Sequence, residues 1–301
     1  MLVDGFVFGL DPTIRTLGAG LTAMVGTAAI GVPVVAWLRA QKLRDGECRK
    51  ESAVLADLHA KAGKANTPTM GGLAILSGLA LTMLVWAPIQ ASATWIAAAL
   101  VLAFATIGAI DDWAKLHRHR RGVKRDGLRG RTKLVIEVAL ATLAMVGLAA
   151  VTQWPPVVYL PFLEAPFDIG ILYVPFAVFI IVGSANAANL TDGLDGLAAG
   201  VVGTAAAGLA VGAVALSVLG GVAMSSAAFL SATAHPGMAT DAAWFAAALA
   251  GCCVGFLWHN RYPARVFMGD TGSLALGAGL GMAAVLLRAE WALVAFCSSK
   301  R

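Results

Sequence analysis

Apolar runs alternate along this chain with short polar connections, and the runs have the length of a membrane crossing. They fall at 17–38, 70–89, 91–110, 134–153, 171–188, 196–222, 242–258 and 271–287. Each is close to the roughly 20 residues that carry an α-helix across the hydrocarbon of a bilayer. A backbone in hydrocarbon must satisfy its own N–H and C=O groups, so each run predicts a transmembrane helix. A ninth run opens near Trp291 and stops with the chain, too short to cross. Residues 196–234 are apolar for long enough to hold two crossings. Two crossings put Arg261, Arg265 and Asp270 on the side opposite every other basic connection, so one is predicted, followed by an outer stretch to Asp241 in the interface. The fold class expected is an all-α polytopic membrane protein, a single helical domain over 1–301 with eight transmembrane helices and the start of a ninth.

Composition agrees. Hydrophobic residues make up 59% and charged residues 13% of the chain, against roughly 45–50% and about 25% in soluble domains. The charges are also sorted. Of 22 Lys and Arg residues, 18 lie in 39–69, 111–133 and 259–270. The alternate connections hold Arg15 and otherwise only acids. By the positive-inside rule the basic connections face the cytoplasm and the N-terminus lies outside. The segment 115–133 then enforces topology and touches anionic lipid, and no nucleic-acid partner is expected. The first run is too long for the apolar core of a cleaved signal peptide and follows acids rather than bases, so it is expected to be retained. The cysteines, Cys48, Cys252, Cys253 and Cys297, lack metal-ligand spacing, and the adjacent pair reads as packing. Trp154-Pro155-Pro156 and Tyr159 fit an outer interfacial turn.

The candidate chemistry lies in four polar clusters, all at cytoplasmic helix ends in this topology. Lys64–Gly72 leads into the second run, Asp111-Asp112-Trp113-Ala114-Lys115 ends the third, Asn189–Leu197 joins the fifth and sixth, and Asn260–Ser273 joins the seventh and eighth. Carboxylates at the ends of membrane helices are costly and mark sites. Asp192 and Asp195 share a face if their segment is helical; a plain hairpin with Asp192 capping the next helix is the alternative. Carboxylates without a His or Cys cluster favour magnesium over zinc. Lysines, and glycines that free backbone N–H groups at helix starts, favour phosphate. Together these suggest phosphoryl transfer to a lipid, in which catalysis is mostly positioning and charge neutralisation. A transporter would carry charges mid-helix and broken helices in two related halves, and neither pattern is visible.

The stretches T-P-T-M-G-G, D-D-W-A-K, N-L-T-D-G-L-D-G-L-A and F-M-G-D-T-G-S-L-A-L-G resemble the signatures of the polyprenyl-phosphate sugar-1-phosphate transferases, a glycosyltransferase family. Gly130-Arg131-Thr132-Lys133 also resembles that family, and the likeness runs in order from about residue 31 to 294. Thr69-Met70, Thr191 and Thr271 look like its muramoyl branch. The resemblance implies transfer of phospho-MurNAc-pentapeptide from UDP-MurNAc-pentapeptide to undecaprenyl phosphate, with UMP released and magnesium required. It implies a bacterial inner-membrane enzyme of peptidoglycan synthesis, working as a homodimer with its active site toward the cytoplasm. It makes Asp270 the magnesium ligand, while Asp111 and Asp112 handle the acceptor phosphate and the diphosphate, one of them as base. Asp192, Gly193, Leu194 and Asp195 are similar to residues that hold the uridine end, together with Asn260 and with Phe267 stacked on uracil. Lys64, Thr69, Lys115 and Asn189 match polar positions near the donor. Both direct attack by the lipid phosphate and a covalent aspartyl intermediate fit these residues, with direct attack preferred.

The family continues past the ninth run with a cytoplasmic loop bearing three consecutive histidines and a last helix, and this chain has no consecutive histidines. A UDP-N-acetylglucosamine-type transferase and a truncated, inactive copy are therefore the competing expectations.

Overall fold

The computed structural model describes residues 10–41, 67–88, 90–120, 127–152, 154–158, 166–219, 236–291 and 293. Eight α-helices of 15 to 29 residues account for most of them: α1 (Pro12–Ala40), α2 (Gly72–Trp86), α3 (Ser92–Arg120), α4 (Gly130–Thr152), α5 (Tyr173–Thr191), α6 (Leu197–Leu219), α7 (Pro236–Asn260) and α8 (Gly269–Leu286). Each predicted run became one helix. Six are long and apolar enough to cross a membrane; α2 has 15 residues and α8 has 18. The single crossing predicted for 196–222 is α6, and the stretch that follows it, 220–235, lies outside the described residues. So do most residues beyond Trp291.

Local chemistry explains several boundaries. α1 starts with Pro12 in its first turn, and Asp11 Oδ1 accepts the Thr13 N–H at 2.8 Å, an N-cap for one of the orphan donors of the first turn. α3 runs ten residues past the end of its apolar run at Ile110. Loss of hydrophobicity does not end a helix, and no Gly or Pro intervenes between Asp111 and Arg120. Asp111 and Lys115 are therefore one turn apart on one helix face. Between α4 and α5, β1 (Val157–Val158) and β2 (Phe167–Asp168) form a short antiparallel ladder.

α8 is the centre of the molecule. It packs on α3 and α5 and also meets α2, α6 and α7, and every residue in it except Asp270 is buried. Hydropathy predicts a lipid-facing span here; the structure encloses it in protein. Lipid tails give apolar helices no net reason to associate, so association rests on close van der Waals contact through small residues. Gly277 and Gly281 supply that contact: a Cβ on Gly277 would lie 2.6 Å from Ala185 Cα, and one on Gly281 2.8 Å from Ile181 Cα, both on α5. Cys252 and Cys253 are buried free thiols on α7, as expected.

The end of the bundle away from the four polar clusters is pinned by buried charge. Arg15 Nη2 meets Asp241 Oδ1 at 2.9 Å and donates to Trp86 O at 3.1 Å. After α8, Arg288 is fully buried and donates to Val157 O and Pro155 O at 2.9 and 2.6 Å. Its guanidinium sits 3.9 Å from the centre of the Trp154 ring. Trp154, expected at the membrane interface, is thus buried as a cation–π partner; Tyr159 lies outside the described residues. Tyr173 Oη donates to Glu290 Oε1 at 2.6 Å, and burial raises the Glu290 carboxyl above its usual pKa even with that hydrogen bond.

Candidate active site

The N-terminus of α8 is where the polar motifs meet. Gly269 opens the helix at φ +74°, and a Cβ there would lie 2.6 Å from Asp112 Oδ2. Both the backbone angle and the space demand glycine. Asp112, from α3, points its whole carboxylate at this helix start. Its Oδ1 accepts the Asp270 N–H at 3.0 Å, and its Oδ2 accepts the Thr271 N–H at 3.0 Å and the Thr271 hydroxyl at 2.7 Å. That is an N-cap supplied by another helix: it satisfies two orphan donors and complements the positive end of the helix dipole. α8 has no capping side chain of its own.

The cap aims Asp270 back toward α3 and α4. Lys115 Nζ lies 3.1 Å from Asp270 Oδ1 and 2.9 Å from Asp111 Oδ2. Lys133 Nζ, at the start of α4, lies 2.6 Å from Asp270 Oδ2. Burial alone would raise the Asp270 carboxyl, but the charges of Lys115 and Lys133 outweigh it and hold the group well below the usual carboxylate range, so it is ionised at neutral pH. Asp111 is also buried, and its Oδ1 accepts the Leu128 N–H. Two carboxylates and two ammonium groups therefore form one alternating cluster at the mouth of the bundle, with Lys115 and Lys133 partly open to solvent.

Backbone pairing adds the T-P-T-M-G-G stretch. Pro68 O accepts the Phe267 N–H at 2.8 Å, and the N–H groups of Gly71 and Gly72 donate to Phe267 O and Met268 O at 2.8 and 3.0 Å. Thr69 is buried against the turn into α8, with its Oγ1 3.0 Å from where a Gly269 Cβ would sit. Lys64 lies outside the described residues. Phe267 is buried.

Residues 192–196 of the Asn189–Leu197 stretch are not helical, so Asp192 and Asp195 do not share a helix face. Asp192 is the C-cap of α5, at φ −76° and ψ 47°, and Gly196 takes φ +74°. The two carboxylates instead reach into the α7–α8 connection. Asp192 Oδ2 accepts the Gly269 N–H at 3.2 Å and Asp195 Oδ2 accepts the Ala264 N–H at 3.0 Å. Asn260, the last residue of α7, ties the same two segments: its Oδ1 accepts the Gly196 N–H at 2.9 Å and its Nδ2 donates to Val266 O at 2.8 Å. Asn189 Nδ2 donates to Ser273 Oγ in α8 at 3.3 Å. Gly193 meets nothing within 4 Å of an added Cβ, and Leu194 is 54% exposed. The tip of this turn is open while its acids brace the site.

The structure thus brings together every candidate residue that it describes. Sequence reasoning passed over Lys133 as a site residue, and over Thr271 as the partner of Asp112. It also passed over Glu137, a fully buried acid on α4 one turn beyond Lys133. The signal for Glu137 was present, as the one acid in an apolar run at i+4 from a lysine.

Comparison with known proteins follows the same residues. The glycosyl transferase family 4 model matches residues 92–288, and phospho-N-acetylmuramoyl-pentapeptide-transferase signature 1 matches residues 64–76. The chain is similar to the phospho-N-acetylmuramoyl-pentapeptide-transferase of Thermodesulfovibrio yellowstonii, with 40% identity over 288 residues, covering 92% of this chain and 73% of the relative. The proteins of that name from Anaeromyxobacter sp. (strain K) and Chlamydia pneumoniae are 39% and 38% identical. They cover 93% and 91% of this chain and 76% and 74% of their own lengths. The two matched regions together contain every described residue of the cluster around the N-terminus of α8.

Proposed function

The chain belongs to glycosyl transferase family 4, and on that premise we propose that it transfers phospho-MurNAc-pentapeptide from UDP-MurNAc-pentapeptide to undecaprenyl phosphate. The observation that carries this reading is the cluster of Asp111, Lys115, Lys133 and Asp270 at one mouth of a bundle of membrane-length helices. A lipid-borne phosphate and a soluble nucleotide can both reach that mouth. By the charge pattern of the connections, it faces the cytoplasm of a bacterial inner membrane.

In the reaction, an oxygen of the lipid phosphate attacks the phosphorus that bears the sugar. The phosphoanhydride bond to the uridine-side phosphate breaks, and UMP leaves with the bond's electrons. Little covalent chemistry falls to the protein; its task is alignment and charge neutralisation. Lys115 and Lys133 supply positive charge to the diphosphate and the acceptor. Asp111 is the base that takes the proton from a protonated acceptor phosphate, and it holds Lys115 beside that phosphate. Asp112 positions Asp270 by capping α8. The open turn at Gly193 and Leu194 contacts the uridine end, with Asn189, Thr69 and Phe267 nearby and Asp192, Asp195 and Asn260 bracing the turn.

The donor set suits magnesium. The described residues contain no group of three His, Cys, Asp or Glu side chains placed to hold a metal. Magnesium characteristically takes one or two carboxylates and completes its shell with water and substrate phosphates. Asp270, with Asp111 beside it, is the residue assigned to hold it. Bound there, the ion supplies charge neutralisation to the diphosphate and the leaving UMP.

The test is UMP release by the full chain in bilayer nanodiscs with magnesium and undecaprenyl phosphate. Release from UDP-MurNAc-pentapeptide is expected. Release only from UDP-N-acetylglucosamine would overturn the choice of donor, and release from neither by folded protein would overturn the activity. Leu194→Ala is expected to raise KM for the donor several-fold and leave kcat nearly unchanged. Its thermal stability should stay within about 0.5 kcal/mol of the parent, as for other exposed positions. An unchanged KM would remove this turn from the donor site.

A further inference from the structure

One buried acid in the bundle has no role in the reaction above. Glu137 lies on α4, fully buried between α4 and α5. Its Oε2 accepts the Asn186 Nδ2 hydrogen bond at 2.6 Å, while its Oε1 has no hydrogen-bond partner among the described residues. Asn186 also donates to Val182 O at 3.0 Å, so its carboxamide is already shared. A half-satisfied carboxyl in a membrane bundle is expensive; a Leu or Met would fill the space at lower cost. Acids kept at such positions mark function by default.

The group within reach is Lys133. It sits at i−4 on the same helix, on the face it shares with Glu137, and its ammonium is a point charge on a flexible four-carbon stem. At present that ammonium is 2.6 Å from Asp270 Oδ2. A divalent cation taking up Asp270 competes for the same oxygen and leaves a partly buried ammonium without its anion. We propose that Glu137 is a positioning residue that receives Lys133 at this moment. The ammonium exchanges Asp270 for the unpartnered Oε1 of Glu137, and Asp270 becomes available to the cation. Lys133 then points along α4 instead of across to α8. No proton or covalent bond is exchanged; one ion pair replaces another. The inference rests on the assignment of Asp270 as the divalent-cation residue, and it deepens that assignment by naming where the displaced charge goes.

The test reads cation binding without substrates. Mn2+ is titrated into the full chain in nanodiscs and followed by electron paramagnetic resonance, with Asp270→Asn identifying the site. Glu137→Gln keeps an oxygen for Asn186 and should fold with an unchanged thermal transition. It is expected to weaken Mn2+ binding about tenfold, as loss of a supporting residue does at other metal sites. Glu137→Asp keeps the charge but shortens the reach, and is expected to show most of the same loss. In a Lys133→Gln background neither change should weaken binding further, because the ammonium they serve is gone. Unchanged affinity in Glu137→Gln, full affinity in Glu137→Asp, or an equal loss in the Lys133→Gln background would each overturn the exchange while leaving the Asp270 assignment standing. Absence of any Mn2+ site that depends on Asp270 would overturn both.

Discussion

Asp270→Asn is expected to lower UMP release by at least about 100- to 1,000-fold, the loss typical when one preorganised electrostatic contact to a reacting centre is removed. The protein should still accumulate in the membrane. The substitution keeps the side chain's shape and leaves the backbone N–H of residue 270 bonded to Asp112, so the start of α8 stays capped. Lys115 retains Asp111 at 2.9 Å. Lys133 loses its anion, but Glu137 lies one turn along the same helix to receive it. What disappears is the only carboxylate that, among the described residues, faces both lysines at once. Turnover of UDP-MurNAc-pentapeptide and membrane abundance should be measured on the same preparations. Unchanged turnover would contradict the metal assignment. Parallel loss of turnover and abundance would make Asp270 a structural residue.

That residue illustrates what the chain discloses locally. The helices were legible because a backbone in hydrocarbon has no partner but itself, so each long apolar run had to close its own hydrogen bonds. Hydropathy says nothing about what surrounds a helix, however. α8 reads as one more lipid-facing span, yet it is buried along its length, and its glycines at 277 and 281 were the available hint of close approach. The reach of α3 to Arg120 was missed for a related reason: the apolar run ends where the membrane does, while helical hydrogen bonding continues through polar residues. The gathering of the four motifs at one end followed from sorted charges and parity alone. Their division of labour did not. Asp111 and Asp112 are adjacent in sequence, but a helix turns about 100° per residue. One therefore faces Lys115 and the other faces the start of α8. Lys133 and Asp270 are 137 residues apart, and no local pattern announces their pairing.

The contrast between those adjacent aspartates yields the second large effect. Asp112→Ala is expected to destabilise the protein by about 3–5 kcal/mol, the range for removing one partner of a buried charged interaction. Three donors lose their acceptor together: the backbone N–H groups of Asp270 and Thr271 and the Thr271 hydroxyl. Asp112 is 4% exposed, so water cannot replace it without opening the packing of α3 on α8. The loss also removes the negative charge at the positive end of α8. Activity should fall with stability, because the turn that aims Asp270 at Lys115 and Lys133 is no longer held. Asp112→Asn should be intermediate in both properties. Its carboxamide oxygen can still accept from one side of the helix start, but its NH2 group opposes a donor on the other. Thermal unfolding in nanodiscs, read beside UMP release, separates this from a purely chemical role. A chemical base would give inactive Asn and Ala variants that unfold like the parent. A cap gives graded variants in which loss of activity tracks loss of stability, with Asp270→Asn standing apart as inactive yet stable. If Asp112→Ala melts with the parent, the carboxylate is not what holds α8, and Asp112 belongs with Asp111 among the groups that touch substrate.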